Sequence, residues 1–89
     1  FSHFLPKEEG KRKDNMVVEK IQALDTDGIE YTVKSNNLSV CGYGPIMTLL
    51  EYGKLTLESP QIKELSRGSS GDVIPSSEVV DYITFLMYA

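Results

Sequence analysis

The chain has one cysteine, Cys41, and no long apolar run. One cysteine cannot form a disulfide within the chain, whereas small secreted scaffolds usually carry several. No segment reaches the roughly 18 apolar residues that a membrane-spanning helix needs, and the N-terminal residues are too polar for a signal peptide. These absences favour a reducing compartment, so the expected location is cytoplasmic, nuclear or both, with no membrane contact.

Basic charge is also scarce, because 9 Lys and Arg residues stand against 13 Asp and Glu residues and the formal net charge is −4. The longest basic run is Lys11-Arg12-Lys13, too short for a phosphate-binding surface. We therefore expect no nucleic acid as partner. The run itself is interpreted as a solvated tail in preference to a nuclear-import signal.

Catalysis is not expected from a chain of 89 residues, which buries only about 60 to 65% of its unfolded surface. Cys41 and His3 are its one thiol and one imidazole. A catalytic cysteine needs a base held in place by a third group, and a closed zinc site needs about four ligands. We therefore predict no catalytic residue, no metal ligand, no cofactor and no small-molecule substrate, and Cys41 is interpreted as a small packing residue.

The N-terminal half is divided by its charge and periodicity. Residues 1–15 are charged and aperiodic, which predicts a mobile N-terminal arm, and residues 16–89 are interpreted as one domain. Apolar residues alternate on both sides of residues 25–28, which predicts a β-hairpin with Gly28 at positive φ in its turn. The glycine comes too early for a calcium-binding EF-hand loop.

The C-terminal half is predicted to be mainly helical. Pro45 suits the first turn of a short helix that carries Leu50 into the core and ends at Gly53. A second helix is predicted over residues 61–66, after Ser59-Pro60. Residues 67–71 are predicted to form a flexible linker and residues 72–74 a short third strand.

Residues 73–89 are interpreted as a capped helix that is apolar on two sides. One side packs on the core and comprises Val79, Val80, Ile83, Leu86 and Met87. A small domain needs only one such side, so the other is expected to face a protein partner. The predicted partner-binding residues are Ile74, Pro75, Tyr82, Phe85 and Ala89.

This order of elements resembles the BTB/POZ superfamily. The resemblance lies in IQALDTDGIEYTV (residues 21–33), PIMTLL (residues 45–50) and Ile74-Pro75-Ser76, and is closest to small cullin ubiquitin-ligase adaptors of the Elongin C type. It implies an α/β (α+β) fold in which a β-hairpin and a short third strand pack with about three helices. It also implies an adaptor that binds a cullin-like scaffold, a box-motif protein or a second BTB chain.

Three alternatives stay open on the sequence alone. The domain could serve BTB-type oligomerisation, or the chain could be a small enzyme or enzyme subunit. It could also be a small viral or parasite interaction protein of unrelated fold. Partner co-purification would separate an adaptor from an enzyme.

Overall fold

The computed structural model describes residues 1–89 as three α-helices and a three-stranded antiparallel sheet. In chain order the elements are β1 (His3–Leu5), α1 (Lys7–Gln22), α2 (Thr26–Ser35), α3 (Tyr43–Thr56), β2 (Gln61–Ser69), a 3-10 helix (Ser70–Asp72) and β3 (Val79–Tyr88). The sheet order β1-β3-β2 places the last strand in the centre. The coarse α+β class is therefore as predicted, but its elements differ.

The predicted hairpin is wrong, because both of its strands lie in helices. In α1 the buried residues Val17 and Ile21 are four apart, as helical packing requires. Asp25 is the N-cap of α2, where its carboxylate accepts a hydrogen bond from the Gly28 amide at 3.0 Å. Gly28 thus lies inside α2, and no glycine of the chain has positive φ. The Asp-x-x-Gly segment begins a helix and does not form a hairpin turn.

The helices predicted over residues 61–66 and 73–89 are wrong, because both segments contain strands. β3 alternates between sides, with residues such as Val79 and Asp81 buried and Tyr82 and Leu86 exposed. β2 pairs with it from Gln61 opposite Tyr88 to Ser69 opposite Asp81. A run that is apolar at most positions fits a period of two as well as a helical period. The β-branched residues of this segment and its pairing with β2 favour the strand.

The N-terminal arm and the later linker also differ from expectation. Residues 1–15 contain β1 and most of α1, and both Ser2 and Asp14 are buried. Residues 67–71 complete β2 and enter the 3-10 helix, and residues 72–74 form no strand. The prediction of a mobile arm is wrong because it rests on low apolar content, whereas the structure anchors these residues through polar contacts.

The core lies between the helices and one face of the sheet. Its buried members are Val17, Ile21, Ile29, Val33, Val40 and Leu50. The prediction that Leu50 is a core residue is confirmed, since it is 2% exposed. α3 does not end at Gly53 as predicted but continues to Thr56, and the missing side chain at Gly53 leaves room for Met87 of β3 against the helix.

Candidate functional site

A buried polar network joins the N-terminus to α1 and β3. The Ser2 amide donates to Asp14 Oδ1 at 3.0 Å, and the Ser2 carbonyl accepts from the Asp81 amide at 2.9 Å. The Ser2 Oγ lies 3.0 Å from Asp14 Oδ2 and 2.9 Å from Asp81 Oδ2. Asp14 and Asp81 are 1% and 6% exposed. Ser2 is therefore held at every polar atom.

The hydrogen-bond count of this network requires a bound proton. A serine hydroxyl has one hydrogen, so it can donate to only one of the two carboxyls. The other carboxyl must then be protonated and donate to Ser2 Oγ or to its neighbour carboxylate. Two buried carboxylates in contact also repel each other unless they share a proton. The network is best satisfied with one proton on the pair Asp14–Asp81.

The titration of Asp14 agrees with this count. Burial raises the pKa of the Asp14 carboxyl from 3.8 to about 7, and the hydrogen bond with Asp81 is the second cause. Hydrogen bonds donated by Ser2 act in the opposite direction, because they stabilise the carboxylate. Asp14 thus keeps a proton at pH values where an exposed aspartate has lost it.

Gly10 of α1 makes room for the network. A Cβ at this position would lie 2.8 Å from both Asp81 Oδ2 and Ser2 Oγ. Those two oxygens are fixed by buried hydrogen bonds, so neither can move away without breaking them. The glycine is therefore required by close packing, although glycine normally weakens a helix interior by about 1 kcal/mol relative to alanine.

We predict that Gly10→Ala lowers the free energy of unfolding by about 1 to 3 kcal/mol, the usual cost of overpacking. Gly44→Ala is the matched control, because Gly44 is also helical and nothing lies within 4 Å of the position that a Cβ would take there. That control should be neutral or stabilising by up to about 1 kcal/mol. Chemical denaturation of both variants checks this, and a stabilising Gly10→Ala would contradict the described packing.

His3, the residue after Ser2, forms a thiol–imidazole pair with Cys41. Cys41 Sγ is 3.4 Å from His3 Nε2. The His3 amide donates to Ser39 Oγ at 3.1 Å, and Ser39 Oγ donates to the His3 carbonyl at 3.4 Å. Ser39 thus ties β1 to the loop that carries Cys41. Phe4, the next residue, has a φ of 58° at the irregularity in the pairing of β1 with β3.

The sequence singles out these two side chains but gives no reason to expect contact between them. Cys41 is exposed and His3 is half-buried, so the pair is open to solvent. Cys41 is not the buried packing residue that was predicted. No group of three or more His, Cys, Asp and Glu side chains is arranged to hold a metal ion. The chain by itself brings together two potential ligands.

The predicted partner-binding residues are separated by the strand. Ile74 and Tyr82 line an open groove of about 740 Å³ together with Phe4, and Tyr82 is 60% exposed. Phe85 points to the other side of β3, where its ring centroid is 6.2 Å from that of Phe1 against the core. Tyr82 and Phe85 therefore lie on opposite sides of a strand and not on one face of a helix, as was expected. Their role in binding a partner stays a prediction.

The remaining two predicted partner-binding residues lie elsewhere. Pro75 is exposed in the loop before β3, and Ala89 follows the end of that strand. A second cavity, of about 200 Å³, has no hydrophobic residue in its lining. It is lined by Lys7, Lys11, Asp14, Arg67, Gly68, Ser69, Asp72 and Asp81.

No helix of the structure has the length and apolar character needed to cross a membrane.

Comparison with known proteins assigns the chain to a family. A sequence model of the Memo-like protein family matches residues 1–86. A MEMO1 family protein of Desulfurococcus amylolyticus is 42% identical over 89 residues, which is 99% of this chain and 31% of the relative. MEMO1 family proteins of Methanococcus vannielii and Sulfurisphaera tokodaii are 39% and 37% identical, over 92% and 93% of this chain and 29% of each relative.

The chain thus spans less than a third of the length of these relatives. No solved structure matches it significantly. The resemblance to the BTB/POZ superfamily is wrong, and with it the adaptor role in cullin ubiquitin ligases and the alternative of a BTB oligomerisation domain. The motif at residues 21–33, interpreted as a hairpin, instead joins the end of α1 to α2. The chain belongs to the Memo-like protein family.

Proposed function

We propose that this chain supplies one cysteine and one histidine ligand to a metal centre that is completed outside it. The observation that carries the proposal is the 3.4 Å contact between Cys41 Sγ and His3 Nε2. Ligand bonds of about 2.3 Å to sulfur and 2.0 to 2.1 Å to nitrogen, at a tetrahedral angle, place the two ligand atoms about 3.6 Å apart. The pair therefore needs little movement to bind one ion.

A thiolate with an imidazole selects soft or borderline ions. Zn(II) and Cu(I) fit this donor set, whereas Mg(II) and Ca(II) prefer oxygen ligands. The exposure of Cys41 leaves the other coordination positions open to ligands from a longer protein or from solvent. The sequence argument against a metal site counted only the one cysteine and one histidine of this chain. The relatives are about three times as long, so further ligands can come from outside the chain.

A cysteine–histidine catalytic dyad is supported less well. Such a dyad needs a third group that orients the imidazole, and no side chain hydrogen-bonds to the second ring nitrogen of His3. Neither Cys41 nor His3 lines any of the three surface cavities. The absence of enzymatic activity, the protein partner and the cytoplasmic or nuclear location all stay predictions.

Titration with Co(II), a spectroscopic substitute for Zn(II), tests the proposal. The unmodified chain is expected to develop the thiolate-to-cobalt charge-transfer band. Loss of a direct ligand should exceed the roughly 10- to 100-fold cost of losing an outer-shell partner. We therefore predict that Cys41→Ser abolishes the band and raises the dissociation constant by more than about 100-fold.

The control moves the thiol away from the imidazole. Ser59 precedes β2, whose first residue pairs with Tyr88, whereas His3 pairs with Val80 near the other end of β3. Cys41→Ser combined with Ser59→Cys therefore keeps one exposed thiol at a distance from His3. This double variant should not restore the band. Equal binding by the unmodified chain and Cys41→Ser would refute the proposed centre.

A further inference from the structure

We infer that Asp14 and Asp81 are positioning residues that hold His3 against Cys41 by fixing Ser2. The metal-binding consequence rests on the proposed function above, whereas the geometric consequence does not. Both carboxyls are buried and lie outside the thiol–imidazole pair. They come from α1 and β3, so they tie the N-terminus to the two layers of the fold.

The first step is the immobilisation of Ser2. Its amide, carbonyl and hydroxyl are all bonded to Asp14 or Asp81, at distances between 2.9 and 3.0 Å. His3 is the next residue along the chain, so the position at which its backbone starts is set by this network. A single peptide bond transmits the constraint, because that bond is planar and rigid.

The second step concerns the imidazole itself. The His3 ring has a polar side-chain contact only with Cys41, and its backbone is bound by Ser39. The only aromatic neighbour of the ring is Phe4, the next residue, at a centroid distance of 6.0 Å. The placement of the imidazole therefore depends on how the backbone of β1 is held. Ser39 Oγ is bonded to both the amide and the carbonyl of His3, and the polar network fixes Ser2, the residue before it. Loss of the Ser2 anchor would leave the Ser39 bonds and the short pairing of β1 with β3 as the remaining polar constraints on His3.

The third step concerns the hydrogen-bond donor that the two carboxyls, Asp14 and Asp81, require. One of the two carboxyls must donate a hydrogen bond, so an amide can replace it. Asp14→Asn offers a donor of the same shape, whereas Asp14→Ala leaves Asp81 and Ser2 without that partner. The surrounding charges are Lys7 and Lys11 from α1, Arg67 from β2 and Asp72 from the 3-10 helix. These four charged residues are the same in Asp14→Asn and Asp14→Ala, so the two variants differ only in the side chain at position 14.

The geometric test is a nuclear Overhauser contact between the His3 ring and the Cys41 β-protons. The chain has one histidine and one cysteine, so both signals are readily identified. The contact is expected in the unmodified chain and in Asp14→Asn, and it should be lost in Asp14→Ala. Asp27→Ala is the control, because Asp27 is exposed and has no side-chain partner. A folded Asp14→Ala that keeps the contact overturns the inference.

If Asp14→Ala does not fold, Asp14→Leu decides by the same contact. Leucine fills the buried site with an apolar side chain and removes both bonds between Asp14 and Ser2, those to the Ser2 amide and hydroxyl. Loss of the His3–Cys41 contact in a folded Asp14→Leu supports the inference, and its retention overturns it.

The functional test compares Co(II) affinity with stability. Asp14→Ala should weaken Co(II) binding by about 10- to 100-fold, the range found for outer-shell partners, while Asp14→Asn restores affinity. A purely structural role would lower the unfolding midpoint without this rescue of binding, and that result would overturn the inference. If the unmodified chain binds no Co(II) while Asp14→Ala loses the geometric contact, the metal centre is refuted and the positioning role stands.

Discussion

Replacing Leu50 by alanine is expected to lower the free energy of unfolding by about 2 to 5 kcal/mol, as for other buried leucines. Leu50 is 2% exposed on the inner side of α3 and packs in the cluster formed by α1 and α2. Few side chains of this small domain are so fully buried, so its neighbours cannot collapse fully into the space left behind. The cost should therefore include a cavity in addition to the lost burial.

Leu55→Ala is the matched control for this change. Leu55 lies five residues further along the same helix, on a different face, and is 84% exposed, so the same truncation there removes almost no buried surface. Its effect should stay within about 0.5 kcal/mol. Chemical denaturation measures both values. Equal losses for the two variants would show that α3 does not present Leu50 to the core.

The second large effect is a decrease of stability with rising pH between about 4 and 7. Asp14 has a raised pKa of about 7 in the folded chain and an ordinary value of 3.8 when exposed. The folded state therefore binds the proton more tightly. This contribution is fully present below about pH 4 and is lost as the pH rises through about 7. Each pH unit within the window is equivalent to about 1.4 kcal/mol.

The expected result is a free energy of unfolding that is about 2 to 3 kcal/mol higher at pH 5 than at pH 8. Asp14→Asn should remove most of the difference, because the amide does not titrate. Asp27→Asn, at an exposed position, should retain it. Asp72 and Glu51 have lowered pKa values from their contacts with Lys7 and Lys54, and both act below this window. Stability that rises from pH 5 to pH 8 would contradict a shared proton.

Part of the fold follows directly from local sequence. The helix around Pro45 and the burial of Leu50 were predictable, because proline is favoured in a first helical turn and the apolar spacing fits one helix face. The end of that helix was not predictable. Gly53 resembles a helix terminator, but its lack of a side chain serves the contact with Met87, which is distant in sequence.

Other parts depend on contacts that sequence patterns do not show. Asp25 and Gly28 fit a hairpin turn and a helix N-cap equally well, and only the packing of α1 on α2 decides between them. The last segment fits both a helix and a strand, and pairing with β2 and β1 selects the strand. Low apolar content predicts a mobile arm, but it says nothing of a buried hydrogen-bond network.

The sequence identifies the two side chains of the candidate site but not the contact between them. Cys41 and His3 stand out because each residue type occurs once, but their separation by 38 positions hides the contact. Ser2 and Asp81 are 79 positions apart, and no local pattern marks either as buried. Asp14 lies in a charged stretch that is typical of a solvated surface. Such a network becomes recognisable only when the fold is known.

Joint binding of one metal ion by Cys41 and His3 is the central claim, and X-ray absorption of the Zn(II)-loaded chain tests it most directly. Joint binding predicts one sulfur neighbour at about 2.3 Å, together with nitrogen or oxygen neighbours at about 2.0 to 2.1 Å. In Cys41→Ser the sulfur neighbour should disappear. A spectrum of the unmodified chain with nitrogen and oxygen neighbours alone would contradict the claim.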